Sequence, residues 1–172
     1  MRAPTSNGCA PRGWPRSVPK HAETRHLPYT PAQMFDMVAD VGRYDQFLPW
    51  VIGVRVRSKS EEALVADLVV GFKMLRETFT SRVTLERPGH VHVDYLEGPL
   101  KHLFNDWVFE EAADGGTLVH FKVDFEFRSR MFEALAGAVF AEALKKMIGA
   151  FESRAQQLYG TGINSSSAQR TA

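Results

Sequence analysis

The sequence predicts an α+β domain in which a curved antiparallel sheet lies against one long C-terminal helix. Three observations predict it. Residues 119–128 alternate strictly, with Val119, Phe121, Val123, Phe125 and Phe127 against His120, Lys122, Asp124, Glu126 and Arg128, so one face is buried and the other wet. Met131 to Tyr159 carries a wide apolar stripe at helical spacing, with Glu133, Glu142, Lys145, Glu152 and Arg154 mostly off it. Strand-like segments precede both in series, separated by Pro88-Gly89, Gly98-Pro99 and Asp114-Gly115-Gly116, the turn signals of a meander. A helix of that length needs a large apolar surface, and the inner face of the sheet supplies it.

The elements follow in order. His21 to Leu27 reads as a short first strand. Thr30-Pro31 places an N-cap beside a proline at the first helical position, and Met34, Phe35 and Val38 then share one face of a helix over Pro31–Ala39. Asp40 to Gly42 breaks that helix. A second short helix, Arg43–Phe47, ends at Leu48-Pro49-Trp50, because a residue before proline leaves the helical region. Val51–Ser58 is a strand with Ile52, Val54 and Val56 on one face and Arg55 and Arg57 on the other. Leu64, Ala66, Leu68 and Val70 alternate with Val65, Asp67 and Val69 in the next strand, which Gly71 bends or bulges. Further strands run over Phe79–Leu85, through Val91, Val93 and Tyr95, over Leu103–Glu110, and through the alternating segment already described.

Composition bounds the function. The 172 residues are 44% hydrophobic and 24% charged, enough for one domain with its own core. No window reaches the roughly 18 consecutive apolar residues of a spanning helix. Residues 1–21 read as a disordered basic leader: Arg2, Arg12, Arg16 and Lys20 stand without an acid, and four prolines accompany no apolar run. Residues 160–172 read as a flexible polar tail, leaving 22–159 as the folded domain. Residues 23–159 carry a net charge of −4, so the folded part lacks the basic footprint of a DNA-binding protein. Cys9 is the only cysteine, which excludes an internal disulfide and a cysteine-based metal site.

A strongly curved sheet cannot touch a straight helix along its whole length. Side chains or a ligand must fill the gap. The rings of Phe79, Trp107, Phe109, Phe121, Phe125 and Phe127 on the sheet, facing Phe132, Phe140, Phe151 and Met147 on the helix, suit either a packed core or an apolar tunnel. Gly137 and Gly149 inside the helix each cost about 1 kcal/mol relative to Ala, a cost that close approach of another group would offset. Gly71 and Gly98-Pro99 interrupt strands where an entrance could form. No motif of a hydrolase, metalloprotease, nucleotide-binding loop or dinucleotide fold is present, so no catalytic residue is assigned. His90-x-His92, with His102 and His120 as conceivable partners, reads as solvent-facing, and no metal site is expected. Glu77, Asp94, Glu97 and Asp106 read as acids near the tunnel mouth, facing solvent because a buried unpaired carboxylate is costly.

Two motifs carry a resemblance. Tyr44-Asp45-Gln46-Phe47-Leu48-Pro49-Trp50 resembles the Tyr-x-x-Phe-Leu-Pro-Trp signature of the coenzyme-Q-binding START-domain family. Glu97-Gly98-Pro99-Leu100-Lys101-His102-Leu103, followed by Trp107-Val108-Phe109, is similar to that family's Gly-Pro-centred segment. The resemblance spans about 22–159. Bacterial members are also called ribosome association toxins, and the wider superfamily is labelled polyketide cyclase-like. It implies a helix-grip fold around a hydrophobic tunnel. It further implies binding of ubiquinone or another polyprenyl lipid, in support of respiratory electron transport and ubiquinone biosynthesis, with no chemistry and no catalytic cofactor of its own. The implied location is cytoplasmic, peripheral at the inner membrane, or mitochondrial in a eukaryote. The rival readings are association with the large ribosomal subunit and cyclase-like catalysis.

The candidate ligand contacts are the residues facing the tunnel or belonging to the motifs: Phe35, Tyr44, Phe47, Leu48, Trp50, Phe79, Leu100, Leu103, Trp107, Phe121, Phe125, Leu135, Val139, Phe140, Leu144 and Met147. Tyr44, Trp50, Lys101 or His102 could donate to a quinone head. The segment around Leu100, Leu103 and Phe104, apolar beside a Gly-Pro break, suits either contact with a bilayer surface or ordinary core.

Overall fold

A computed structural model describes residues 21–72 and 74–163, with residues 72, 75 and 131–141 described by their backbone alone. Seven strands form one antiparallel sheet: β1 (His21–Leu27), β2 (Val51–Lys59), β3 (Ala63–Phe72), β4 (Leu75–Glu86), β5 (His90–Glu97), β6 (Leu100–Glu111) and β7 (Thr117–Phe127). Their spatial order is β1-β7-β6-β5-β4-β3-β2. The meander β2 to β7 is therefore sequential, and β1 returns to pair with β7. Helix α1 (Pro31–Ala39) and a 3-10 helix (Val41–Gln46) connect the two edge strands, and helix α2 (Arg130–Tyr159) closes the domain.

Local chemistry sets these elements. Thr30 and Gln33 form a reciprocal capping box at the start of α1: Gln33 N donates to Thr30 Oγ1 at 3.3 Å, and Thr30 N donates to Gln33 Oε1 at 2.9 Å. Pro31 takes the first helical position, where its missing N–H costs nothing. Gly115 turns the β6–β7 hairpin at φ +83°. On the outer face, Asp67 of β3 accepts from Arg57 Nε at 2.8 Å and from Thr80 Oγ1 at 2.7 Å, tying β2, β3 and β4 together. The Arg57 bond holds the Asp67 carboxyl below its ordinary range against the opposing effect of burial.

The sheet corrects three local expectations. Ile52 does not share a face with Val54. A bulge between Val51 and Gly53 turns Val51 inward and leaves Ile52 half exposed, and Val56 near the edge is also exposed. Gly71 does not break β3: it pairs with Arg76, and a Cβ there would lie 2.8 Å from the Ile52 side chain. Close approach is its reason. For Gly149 it is not, since nothing lies within 4 Å of the position a Cβ would take. The side-chain surroundings expected for Gly137 fall outside the described residues. The start of the expected tail is docked, with Ile163 N donating to Pro28 O at 2.8 Å and Tyr29 Oη donating to Gly160 O at 3.0 Å. The rest of that tail, and the leader with Cys9, lie outside the described residues.

The core gathers where α1, the sheet and the C-terminal half of α2 meet. Met34, Phe35, Met37, Val38, Phe109, Val119 and Ala155 are buried there. Trp107 bridges sheet and helix, with ring centroids 4.4 Å from Phe121 and 5.1 Å from Phe151. Such ring pairs contribute roughly 0.5–1.5 kcal/mol beyond their area.

Candidate functional site

Between the sheet and α2 lies a cavity of about 420 Å³. Its floor is the inward parity of the strands. Ala66, Leu68 and Val70 come from β3, Phe79, Ser81 and Val83 from β4, and Val91 and Val93 from β5. Leu100, Leu103, Asn105 and Trp107 come from β6, and Phe121, Val123, Phe125 and Phe127 from β7. Leu100 and Leu103 both face inward because a bulge between Leu100 and His102 takes up one extra residue. Ala143, Leu144, Met147 and Phe151 of α2 form the opposite wall, and Tyr44 with Leu48 to Val51 forms the side.

Trp50 is held at φ +66°, a left-handed conformation that bulky residues rarely adopt, at the start of β2. The Lys146 ammonium lies 6.0 Å from the centroid of its ring. Tyr44 donates its hydroxyl to Val38 O at 2.5 Å, and burial pushes its phenol well above the ordinary range, so it stays protonated. Asn105 differs. Its Oδ1 is buried, lies in the cavity wall and has no hydrogen-bond partner. An acceptor left that way costs about 1–3 kcal/mol. The wall is otherwise almost wholly apolar, which suits a hydrocarbon chain with one polar anchoring point.

Of the candidate contacts, Tyr44, Leu48, Trp50, Phe79, Leu100, Leu103, Trp107, Phe121, Phe125, Leu144 and Met147 are brought together on this wall. Two are not. Phe35 is directed by α1 into the core, meeting Phe109 nearly edge-on at 6.2 Å. Phe47 sits behind Tyr44 and Phe151, with its ring under the Arg154 guanidinium at 5.3 Å. The side chains of Leu135, Val139 and Phe140 lie outside the described residues. Lys101 and His102 are not available to a ligand head in the cavity: they are exposed and pair with Glu126 and Asp124. The sequence reading missed Asn105 and Ser81. Parity would have found both, since Leu103-x-Asn105-x-Trp107 and Phe79-x-Ser81-x-Val83 each put one polar residue in an inward apolar row.

Two of the four acids expected at the tunnel mouth lie on the outer face instead. Asp106 is buried on the outer face, at the opposite parity to Asn105 and Trp107, and Asp94 is exposed at the opposite parity to Val93. His90 and His92 gather there with Asp106, while His102 and His120 lie apart, beside Asp124 and Glu110. Burial alone would raise the Asp106 carboxyl, but hydrogen bonds from both imidazoles hold it well below the ordinary range. The bond to Asp106 in turn lifts His92 to about 9.

The comparison with known proteins is consistent with this geometry. Residues 27–152 match the family described as polyketide cyclase / dehydrase and lipid transport. The chain belongs to that family. The ribosome association toxin RatA of Rickettsia prowazekii is 36% identical over 139 residues, covering 78% of this chain and 94% of the relative. The mitochondrial coenzyme Q-binding protein COQ10 of Drosophila melanogaster is 35% identical over 127 residues, covering 72% of this chain and 52% of the relative. Among solved structures, the 18 kDa protein CC1736 of Caulobacter crescentus is 40% identical with a TM-score of 0.66, covering 81% of this chain and 97% of its own. The curved sheet gripping a C-terminal helix is the START-like helix-grip fold, as the sequence predicted. No helix among the described residues is long and apolar enough to cross a membrane.

Proposed function

We propose that this chain binds ubiquinone or a polyprenyl precursor of it in the cavity between sheet and α2, and that it acts as a carrier supporting respiration and ubiquinone biosynthesis without catalysing a reaction. The observation that carries this reading is an apolar wall of about 420 Å³ with the unpartnered Asn105 Oδ1 set into it. That volume falls within the ~300–1,000 Å³ range of small-molecule sites. A prenyl tail has no hydrogen-bonding groups and needs only a dry wall. At about 0.8 kcal/mol per buried methylene, one five-carbon unit contributes roughly 4 kcal/mol. The amide of Asn105 can anchor the ring, its oxygen accepting from a hydroxyl of a phenolic or reduced head and its nitrogen donating to a quinone carbonyl. The likeness to a protein named for coenzyme Q binding supports the same ligand.

Chemistry is disfavoured by the inner face itself. Ser81 and Asn105 are its uncharged polar residues, and no acid or histidine lines it among the described residues. Organic extraction of protein purified from a quinone-containing host, followed by mass spectrometry, tests the proposal. Recovery of a stoichiometric isoprenoid supports it. Absence of any isoprenoid, together with no binding of added short-tail ubiquinone, rejects it.

A second reading, association with the large ribosomal subunit, is favoured by the likeness to proteins named ribosome association toxin, which extends over nearly their whole length. The −4 charge of residues 23–159 opposes an RNA surface. Cosedimentation with purified subunits at moderate salt decides between the two.

A further inference from the structure

The outer face of the sheet carries a cluster that the cavity does not use. His90 and His92 stand two residues apart on β5 and project to one face, away from the cavity-lining Val91 and Val93. The β5–β6 register sets Asp106 directly across from His92. Asp106 is 4% exposed, and a single one of its oxygens takes both rings: His90 Nε2 at 2.8 Å and His92 Nδ1 at 2.6 Å. These donor atoms, one from each residue, all lie within 4.8 Å of one another.

The far side of each imidazole also meets a carboxylate. His92 Nε2 lies 3.1 Å from Asp94 Oδ1, and His90 Nδ1 lies 3.7 Å from Glu86 Oε2. Metal-ligating histidines are oriented as His92 is, with the second nitrogen held by a carboxylate that fixes the tautomer and raises basicity, whereas Glu86 approaches His90 only at ion-pair distance. We propose that His90, His92 and Asp106 form a binding site for a divalent ion of the zinc class on the outer face of the sheet, with solvent completing the coordination.

Two imidazoles and one carboxylate suit Zn²⁺, Co²⁺ or Ni²⁺ better than Ca²⁺ or Mg²⁺, which prefer all-oxygen shells. Bonds of about 2.0–2.2 Å at tetrahedral angles set ligand atoms roughly 3.3–3.5 Å apart. The two imidazole–carboxylate contacts, at 2.8 and 2.6 Å, need to lengthen by less than about 1 Å, and all three donors already lie within 4.8 Å of one another. Both rings are a little under one-third exposed, so an ion approaches from solvent. The charge around the site is mixed. Glu86, Asp94 and Asp106 favour a cation. Arg82, opposite Asp94 on β4, and Lys122, opposite Asp106 on β7, oppose it. Thr84, opposite His92, is neutral. With both imidazoles neutral, the form that ligates a metal, these charged neighbours sum to −1.

The test uses the full chain, stripped with a chelator, dialysed, and titrated with Zn²⁺ in mildly alkaline buffer by calorimetry. Co²⁺ serves as a second probe, read by its visible absorption. One ion per chain is expected, with a Co²⁺ spectrum of low coordination number. His92→Gln should weaken binding at least tenfold, as should Asp106→Asn. Because Asp106 is buried and its variant could misfold, the surface change His90→Gln provides an independent ligand deletion. His26→Gln and His102→Gln, which remove other histidine–aspartate pairs, should leave the titration unchanged. No saturable binding would mean that the cluster is an ion pair of two imidazoles around Asp106. Equal binding by wild type and the His90 and His92 variants would mean that the metal sits elsewhere. Either result overturns the proposal. The cluster faces away from the cavity, so neither result bears on quinone binding.

Discussion

Enlarging Val93 separates a ligand cavity from an ordinary core. Val93 lies on the cavity floor, between Val83 on one neighbouring strand and Asn105 on the other. Val93→Phe adds four carbons pointing into about 420 Å³. The added ring atoms occupy part of that space. A ligand that filled the space loses contact for about four carbons, roughly 3 kcal/mol, and binds on the order of a hundredfold more weakly. The effect on the free protein has the opposite sign to that of overpacking. A ring entering a filled core costs about 1–3 kcal/mol, whereas a ring entering open apolar space costs little and can add stability. Trp50 and Trp107 both line the wall, so quenching of their fluorescence by a short-tail ubiquinone reads binding. Urea unfolding of the free protein reads stability. The expected result is weak binding with an undiminished unfolding midpoint. Wild-type affinity in a variant of undiminished stability would place the ligand elsewhere. A loss of 1–3 kcal/mol in the free protein would mean that the space is not open.

Asn105→Leu removes the unpartnered buried acceptor, so the free protein should gain about 1–3 kcal/mol in urea unfolding while quinone affinity falls several-fold. Gly98→Ala should cost about 1–3 kcal/mol, because Gly98 holds φ +139° and an added Cβ would stand 2.6 Å from Thr78 O; thermal unfolding measures it. Asp67→Asn should lower the unfolding midpoint at neutral pH. Because the native Asp67 pKa is depressed, its contribution is present above the unfolded carboxyl range and lost as pH falls through the native value, so wild type and variant should converge in acid. Phe35→Ala should destabilise by about 3–5 kcal/mol in chemical denaturation, as a large buried ring is deleted from a site that does not line the cavity.

Much of the fold was legible because its strands alternate cleanly. In β7, Val119, Phe121 and Val123 are buried and Phe125 and Phe127 face the cavity, as the period of two requires. The capping box of Thr30 and Gln33 likewise follows from local sequence. The misses occur where period two fails. A bulge adds one residue and inverts every face beyond it, so Ile52 and Lys101, both at bulges, could not be placed by counting. At the site, an apolar side chain on a helix face or in a motif was not a sufficient criterion. It selected Phe35 and Phe47, whose orientation depends on how α1 and the 3-10 helix approach the sheet, a tertiary matter. It passed over Ser81 and Asn105, which share inward parity with their apolar neighbours. The gathering of His90, His92 and Asp106 depended on strand register, which a single sequence leaves open.

Residue size explains why this cavity exists at all. Where α2 comes close to the sheet, Trp107, Phe121 and Phe151 are large enough to span the gap, and their rings meet at 4.4 and 5.1 Å. Ala66, Ser81, Val83, Val93 and Ala143 line the cavity with short side chains. These short side chains leave part of the space between the sheet and α2 open, although Phe79, Phe125 and Phe127 line the same cavity. A core selected only for stability would carry larger side chains there, since filling such a void stabilises. The small residues on the floor, with a buried amide oxygen that has no hydrogen-bond partner, therefore argue for an occupant supplied from outside the chain.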